Sequence, residues 1–564
     1  MNRNIVIGLV VAVVIGMCSL FACVGIVAFV YQDELQAYLG LQVSQKTATL
    51  LPENTQFYLS MTPNIQAIPG YENLKALYLD NPEIIKIMER TEKEATKSNI
   101  SFKEDVQPWL GTEVVIAIPE FATTLAQDSA ATAPDFIISA QTRDKAASDK
   151  FIDKVLTEPN QAPFTDEAYQ GITLHLQQQS KGDYKEIIVV SLNDLVIIAT
   201  DKAMVKDMID RSKGSNTPSF VSNAKYSKIV SELPSNTIAT MYMETFGLFE
   251  AASKESAFTV PDSSLQDMRA FEAVGIAALL QPNGIQVDMA ITYNTNKMSE
   301  AMKTSLKTRS DSPNAILQNI PAEALVVLSG SDLNKIWQNV KEGMANNPDF
   351  ESQMTDMESE MGFSLDKDVF GWMTGEYAMV LVDAPKNEDS FLPRGGGYVL
   401  IGSKDIAAAK THVATVADAM QEQMGPMMTL KTQTIAGIEL TSPENPLDDA
   451  FLGGYGFQGD YFLTAYREEA VTALANAKQN PFTNQANFKA LQSYLPAKNT
   501  GYIYANLDQL RAVMESDLTG SAQTEYETNM KPFLKPVHAI GSAASTEGFD
   551  KGVSKGSLFL LISE

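Results

Sequence analysis

The chain has 564 residues, of which 45% are hydrophobic and 20% are charged. This length exceeds what one hydrophobic core usually serves, so two or more domains are expected, and the composition excludes a disordered chain. Lys and Arg number 43 against 69 Asp and Glu, which gives a net charge of −26. Such an acidic surface repels phosphate backbones and therefore disfavours nucleic-acid binding.

An apolar run, Ile5–Val30, opens the chain. It is longer than the about 20 residues that a helix needs to cross the hydrocarbon core of a membrane. Arg3 precedes the run and Asp33 follows it, so the positive-inside rule places the N-terminus in the cytoplasm. The sequence therefore predicts a single-pass protein of the cell membrane, attached through this run, with the bulk of the chain extracytoplasmic.

The two cysteines, Cys18 and Cys23, both lie inside this run, so the rest of the chain has no disulfide and no thiolate metal site. Leu20–Cys23 loosely resembles a lipoprotein cleavage box, which would lipidate Cys23. Phe21 is bulky for that position, and apolar residues continue beyond the cysteine. An uncleaved anchor is the favoured interpretation, and lipidation and plain secretion remain the alternatives.

Two copies of one domain follow the anchor. Phe102–Glu113 reappears as Leu365–Glu376, and Trp109 and Trp372 lie 263 positions apart (372 − 109). A later match, which begins at Phe220 in the first copy, recurs at almost the same offset. Two distant matches at one offset indicate a duplicated domain.

The repeat and the composition divide the chain into five predicted segments. These are the anchor with a short cytoplasmic tip at 1–31, a juxtamembrane stalk at 32–50, repeat domain 1 at 51–293, a connector at 294–313 and repeat domain 2 at 314–564.

Within each copy, short strands alternate with a few amphipathic helices. Asp144–Leu156 has apolar residues at three- and four-residue steps, which predicts a helix, and copy two has its counterpart at Asp405–Met420. Val274–Leu280 and Ile285–Tyr293 read as paired strands. The predicted fold class is α+β: tandem duplicated domains of antiparallel or mixed sheet with helices packed on one face, preceded by one transmembrane helix.

Several of these segments together resemble domain-of-unknown-function family 3352, a bacterial family. The resemblance is carried by the N-terminal anchor, Leu51–Tyr58 at the domain start, Val106–Glu113 around the tryptophan, and Ala224–Pro234. It covers nearly all of the predicted extracytoplasmic part. Copy two departs from the pattern, with Gly371 in place of Pro108. The resemblance implies no activity, cofactor or partner.

The repeated tryptophan motif has a structural interpretation. Its tryptophan supplies a large buried area with one N–H that needs a partner, and its glycine permits a backbone conformation that other residues resist. Its glutamate accepts the indole N–H or caps a neighbouring element. The alternative is a tryptophan that stacks on a ligand in a surface cleft. The motif residues are Trp109, Gly111, Glu113, Trp372, Gly375 and Glu376.

No constellation of catalytic residues is recognisable. His175, His412 and His538 have no metal-ligand spacing, and the Gly-x-Ser-x-Gly elbow of hydrolases does not occur. No Gly-Lys-Ser/Thr follows Gly395–Gly397, so this run is not a phosphate loop. The sequence therefore predicts no catalytic, cofactor-binding or metal-binding residue, and no cofactor.

These observations favour a non-enzymatic binding or envelope-associated module, with an envelope protein or a small apolar ligand as its partner. One alternative is a carboxylate-dependent hydrolase of envelope polymers, which requires an accessible pair of carboxylates, one with a raised pKa. The other is a structural spacer, which predicts that the protein has no pocket and no large apolar patch.

Overall fold

Within the residues that the structure describes, twenty strands form, ten in each of two units of the chain, and most of them form where the sequence alternates or concentrates apolar residues. Unit 1 lies within Met1–Met298 together with Ser563–Glu564, and unit 2 is Ser299–Ile562. The structure is a computed structural model. It describes residues 45–63, 69–95, 100–121, 134–157, 162–178, 186–245, 267–307, 310–344, 350–384, 395–424, 429–444, 451 and 453–564.

Unit 1 contains strands β1 to β10 and helices α1 to α6. The strands are β1 Phe57–Met61, β2 Leu110–Ile118, β3 Ile137–Thr142, β4 Thr165–Tyr169, β5 Ile172–Gln178, β6 Glu186–Leu192, β7 Leu195–Ala199, β8 Ala239–Glu244, β9 Phe271–Gln281 and β10 Gly284–Tyr293. The helices are α1 Lys46–Leu50, α2 Tyr71–Leu74, α3 Pro82–Ala95, α4 Lys145–Leu156, α5 Lys202–Ser212 and α6 Ala224–Glu232.

Unit 2 contains strands β11 to β20 and helices α7 to α15. The strands are β11 Val326–Gly330, β12 Met373–Val382, β13 Gly396–Ser403, β14 Leu430–Ile435, β15 Ile438–Pro443, β16 Gly454–Gln458, β17 Tyr461–Tyr466, β18 Asn499–Asn506, β19 Val537–Ser545 and β20 Val553–Ile562. The helices are α7 Glu300–Lys307, α8 Leu333–Met344, α9 Phe350–Met361, α10 Ile406–Met424, α11 Glu468–Asn476, α12 Ala486–Gln492, α13 Leu507–Asp517, α14 Gly520–Asn529 and α15 Lys531–Leu534.

Both units have the same strand order. In unit 1 it is β10-β9-β8-β1-β2-β3-β7-β6-β5-β4, and every one of these pairings is antiparallel. In unit 2 it is β20-β19-β18-β11-β12-β13-β17-β16-β15-β14, again with antiparallel pairings throughout. Adding ten to each strand number converts the first order into the second.

The cores of the two units also contain matching aromatic clusters. In unit 1 the fully buried Phe220 lies 4.1 Å from Tyr226, measured between ring centroids, and 5.3 Å from Tyr242. In unit 2 the fully buried Phe482 lies 4.4 Å from Phe488 and 5.0 Å from the Tyr504 ring. The later sequence match is therefore a match between core residues.

The predicted fold class is wrong in its helix packing. Of the two predicted sheet types, antiparallel or mixed, the antiparallel one occurs, since every strand pairing within the units is antiparallel. Helices also cover both faces of the sheet: in β13, Leu400 packs in the core with Ala470 of α11, whereas the next residue, Ile401, packs with Ala409 of α10. Successive strand residues point to opposite faces, so the uninterrupted apolar run Tyr398–Ile401 buries both.

The predicted fold class also began with a transmembrane helix, and this part is wrong for the residues that the structure describes. The longest described helix, α10, has 19 residues and carries Lys410, Asp418 and Glu422. No described helix combines the length and the apolar character needed to cross a membrane. Ile5–Val30 and Cys23 lie outside the described residues, so attachment through this run and lipidation stay predictions.

Two predicted linking segments contain helices. Helix α1 lies within the range 32–50 that was interpreted as a stalk, and its Thr47 and Ala48 are fully buried. Helix α7 lies within the predicted connector 294–313, and the division between the units falls at Met298 and Ser299. The predicted domain bounds themselves stay predictions.

Candidate binding surface

The two motif tryptophans are interior residues. Trp109 is 2% exposed and Trp372 is 6% exposed. Each indole Nε1 donates a hydrogen bond to the backbone carbonyl four residues earlier, at 2.7 Å to Asp105 O and at 3.1 Å to Asp368 O. Because each N–H is satisfied inside its own turn, the side chain is buried without an unpaired polar group.

A helix covers each tryptophan from the outside. Trp109 packs with Ile152 of α4, and its ring lies 5.2 Å from Phe151. Trp372 packs with Ala409 of α10, and its ring lies 5.6 Å from Phe462. The aromatic faces that a stacking ligand would need are therefore in contact with the protein itself.

The motif glycines occur where the strands change register. Gly111 lies in the irregular stretch of β2 between Leu110 and Val114, and a Cβ there would approach the Gln141 carbonyl oxygen to 2.9 Å. Gly375 has a φ of 101°, in the left-handed region that favours glycine. Both positions lie in a stretch where the pairing register shifts, between Leu110 and Val114 and between Met373 and Tyr377.

The motif glutamates hold the segment that precedes the first strand of each unit. Glu113 Oε2 accepts hydrogen bonds from Thr47 N at 3.2 Å and Thr47 Oγ1 at 3.1 Å, in α1. Glu376 Oε1 accepts one from Ile316 N at 3.1 Å, in the 3₁₀ turn Ala315–Asn319. Of the two predicted roles, accepting the indole N–H or capping a neighbouring element, the geometry shows the second.

Glu113 differs from Glu376 in its surroundings. Glu113 is fully buried, its Oε1 has no hydrogen-bond partner, and Tyr58 and Tyr226 are its aromatic neighbours. Burial raises the pKa of Glu113 to about 7, and the hydrogen bonds from Thr47 act in the opposite direction. Glu376 is partly exposed, and its second oxygen accepts a bond from Tyr461 Oη at 3.4 Å.

The histidines pair with carboxylates rather than with one another. Each Nδ1 lies within hydrogen-bonding distance of an aspartate, and the pairs are His175 with Asp166 at 2.7 Å, His412 with Asp368 at 2.7 Å and His538 with Asp508 at 2.9 Å. Within the described residues, no group of three or more His, Cys, Asp or Glu side chains has the arrangement of a metal site.

Unit 1 has an open cleft of about 540 Å³. Its lining includes Glu53, Arg211, Lys225 and Glu244. Lys225 is ion-paired with Glu244, and Arg211 with Asp207. The N-terminus of α6 at its wall is already capped by the Asn223 side chain. Because its charges neutralise one another, the cleft does not select a charged ligand.

One face of the unit 2 sheet exposes large apolar side chains to solvent. Met379 and Leu381 of β12 are 50% and 51% exposed, and Ile503 of β18 is 54% exposed. Ala378 and Val380, which alternate with them, are at most 1% exposed because they point into the main core. The strand therefore buries one row of apolar side chains and presents the other to solvent.

Strand register joins these residues into two rows across six strands. We call this surface the open face, and from β13 to β20 its rows are Val399, Met379, Leu328, Ile503, Ser542 and Leu558, and Gly397, Leu381, Val326, Ala505, Ile540 and Leu560. Residues directly opposite each other on neighbouring strands have Cβ atoms about 5 Å apart, so each row is continuous. Neither row contains a charged residue.

The equivalent surface of unit 1 is less exposed. The register of β1 pairs Leu59 with Met241, just as the register of β11 pairs Leu328 with Ile503. Met241 is 1% exposed, whereas its counterpart Ile503 is 54% exposed. The exposure is thus a property of unit 2 and not of the repeated fold as such.

The stretch Tyr377–Val382 reads in sequence as a buried strand, because it is apolar at both alternating positions. In the structure its Met379 and Leu381 are half exposed. That pattern indicates two apolar faces, but it gives no information on whether both are covered.

Comparison with known proteins places the chain in a family. The model of the family described as "Protein of unknown function (DUF3352)" matches residues 12–562. The chain belongs to this family. The resemblance inferred from the motif is therefore confirmed over nearly the whole length. No match was found among curated proteins.

Solved structures give distant similarities. Crystal form IV of TP0453 has 15% identity, with 43% of this chain and 79% of that chain covered and a TM-score of 0.25. Crystal form I of TP0453 has 10% identity, with 48% and 85% covered and a TM-score of 0.25. Similarity at this level carries no argument about fold or function.

Proposed function

We propose that this chain is a non-enzymatic binding protein that captures an apolar partner on the open face of unit 2. The observation that carries the proposal is the pair of charge-free rows in which Met379, Leu381 and Ile503 are each about half exposed. Monomeric proteins rarely leave contiguous apolar surface of this kind uncovered, and exposed apolar patches mark interaction sites.

Covering the open face is energetically favourable. Full burial of a Leu, Ile or Met side chain is worth about 1.5–3 kcal/mol, so covering the exposed half of each contributes about 1 kcal/mol. Three such side chains, with the half-buried residues between them, form the apolar centre of a modest interface. Methionine adds an unbranched side chain that adapts to partners of different shape.

Two features support this proposal over the alternatives. A structural spacer is expected to have no large exposed apolar surface, whereas unit 2 has one. A carboxylate-dependent hydrolase requires an acid that reaches its polymer, and Glu113, whose pKa is raised to about 7, is fully buried. The proposal includes an envelope location, which rests on the N-terminal apolar run in the sequence.

The neutral dye Nile red provides a direct test. We expect the folded chain to bind the dye with increased emission, and the double variant Met379→Thr/Ile503→Thr to bind it about tenfold more weakly, which corresponds to about 1.4 kcal/mol of lost apolar contact. Threonine suits a strand, so the fold is retained. The measurement is fluorescence titration at matched far-ultraviolet circular dichroism.

The matched control for this test is Met357→Gln. Met357 is 36% exposed on α9, outside the open face. We expect this variant to bind Nile red as the unchanged protein does. Equal dye affinity in the double variant and the unchanged protein would contradict the proposed function.

A further inference from the structure

We propose that the occupant of the open face is a basic amphipathic helix of a partner polypeptide. This inference rests on the proposed function and deepens it by naming the partner's chemistry. It stands on the juxtaposition of a narrow apolar strip with an acidic surrounding surface in unit 2.

The dimensions of the open face fit one helix. The two rows are two residues apart along each strand, which is about 7 Å, and side chains widen the strip to about 10 Å. Six strands at a spacing of about 4.8 Å extend it over about 24 Å. A helix has a diameter of about 10 Å, and about 16 residues of it span 24 Å. A single apolar helix stripe therefore covers the strip.

The charge around the strip selects a basic partner. Unit 2 has 33 Asp and Glu against 20 Lys and Arg, a net charge of −13. Asp383 is exposed two residues beyond Leu381 on the same side of the strand. The strip itself is uncharged, so the attraction arises from the acidic surface of unit 2 around it.

The same charges disfavour the other occupants. A second copy of this chain would bring a second net charge of −26 to the face, and like-charged rims repel. An anionic lipid surface is repelled in the same way. Lysine or arginine beside an apolar helix stripe is attracted by the rim, and its aliphatic stem adds to the covered area.

Two designed 18-residue helical peptides test this inference on the full chain. They share a leucine stripe and differ only in whether Lys or Glu flanks it. We expect the Lys peptide to bind about tenfold more tightly at low salt, with the difference shrinking at about 0.5 M salt as the rim charges are screened. Met379→Thr/Ile503→Thr should weaken Lys-peptide binding about tenfold, and Met357→Gln should leave it unchanged.

The outcomes separate this inference from the proposed function. Equal affinity for both peptides, with loss in the double variant, would contradict the basic partner and leave the apolar site intact. Binding only of phosphatidylcholine vesicles, or a dimer that the double variant loses in light scattering, would overturn the peptide partner. Peptide binding that is insensitive to the double variant, with Nile red binding equally insensitive, would overturn both.

Discussion

Replacing Trp109 by alanine lowers the free energy of unfolding of unit 1 by about 3–5 kcal/mol, the usual cost of removing a buried large aromatic side chain. The indole fills the space between α4 and the sheet, where it contacts Ile152 and Phe151. The variant loses this packing and the hydrogen bond from Nε1 to Asp105 O. Urea denaturation followed by circular dichroism measures the loss.

Trp372→Ala provides the matched variant in unit 2, because Trp372 has the same indole hydrogen bond and the same position under a helix. We expect a similar loss there. Trp109→Phe keeps much of the apolar volume and should cost less than Trp109→Ala. A loss below about 1 kcal/mol for Trp109→Ala, together with weakened ligand binding, would instead support the stacking tryptophan.

Replacing Glu113 by glutamine stabilises the protein above neutral pH by up to roughly 3 kcal/mol. The pKa of Glu113 is raised from 4.5 to about 7 by burial, so between these values the folded chain holds a proton that the unfolded chain has lost. The contribution of the Glu113 carboxyl to the free energy of unfolding is therefore fully present below pH 4.5 and is lost as the pH rises through about 7. Glutamine never ionises, and its oxygen still accepts the bonds from Thr47.

The test compares unfolding free energies of the unchanged protein and Glu113→Gln from pH 4.5 to 8. The difference between the two curves isolates this group from other titrating residues. Glu376→Gln is the matched control, because Glu376 is partly exposed and both of its oxygens have partners. Parallel curves for the unchanged protein and Glu113→Gln would show that the carboxyl does not retain its proton on folding.

Local structure was predictable from sequence where one residue pattern determines it. The helix predicted at Asp144–Leu156 begins one residue later, since Asp144 is its N-cap and accepts a bond from Ala147 N at 3.0 Å. The strands predicted at Val274–Leu280 and Ile285–Tyr293 pair as β9 and β10. These elements depend on periodicity and capping within a few residues.

Properties that depend on distant packing were not predictable. Ile401 and Met379 look alike in sequence, as apolar residues within apolar strands. In the structure, Ile401 lies under α10, whereas Met379 is half exposed. Both residues lie on the same face of the sheet, and α10 covers that face at Ile401 but not at Met379. No local pattern encodes how far a helix extends over a face. For the same reason, the repeated motif residues were found from sequence and the open face was not.

Oxidation of methionines by hydroxyl radicals, read by mass spectrometry, tests the open face most directly. Met379 and Met373 lie on the same strand, 50% and 4% exposed respectively. We expect Met379 to be oxidised much faster than Met373 in the free protein, and the Lys peptide to protect Met379 but not Met357. Oxidation of Met379 as slow as that of Met373 would show that this face is already covered and would contradict the proposed binding surface.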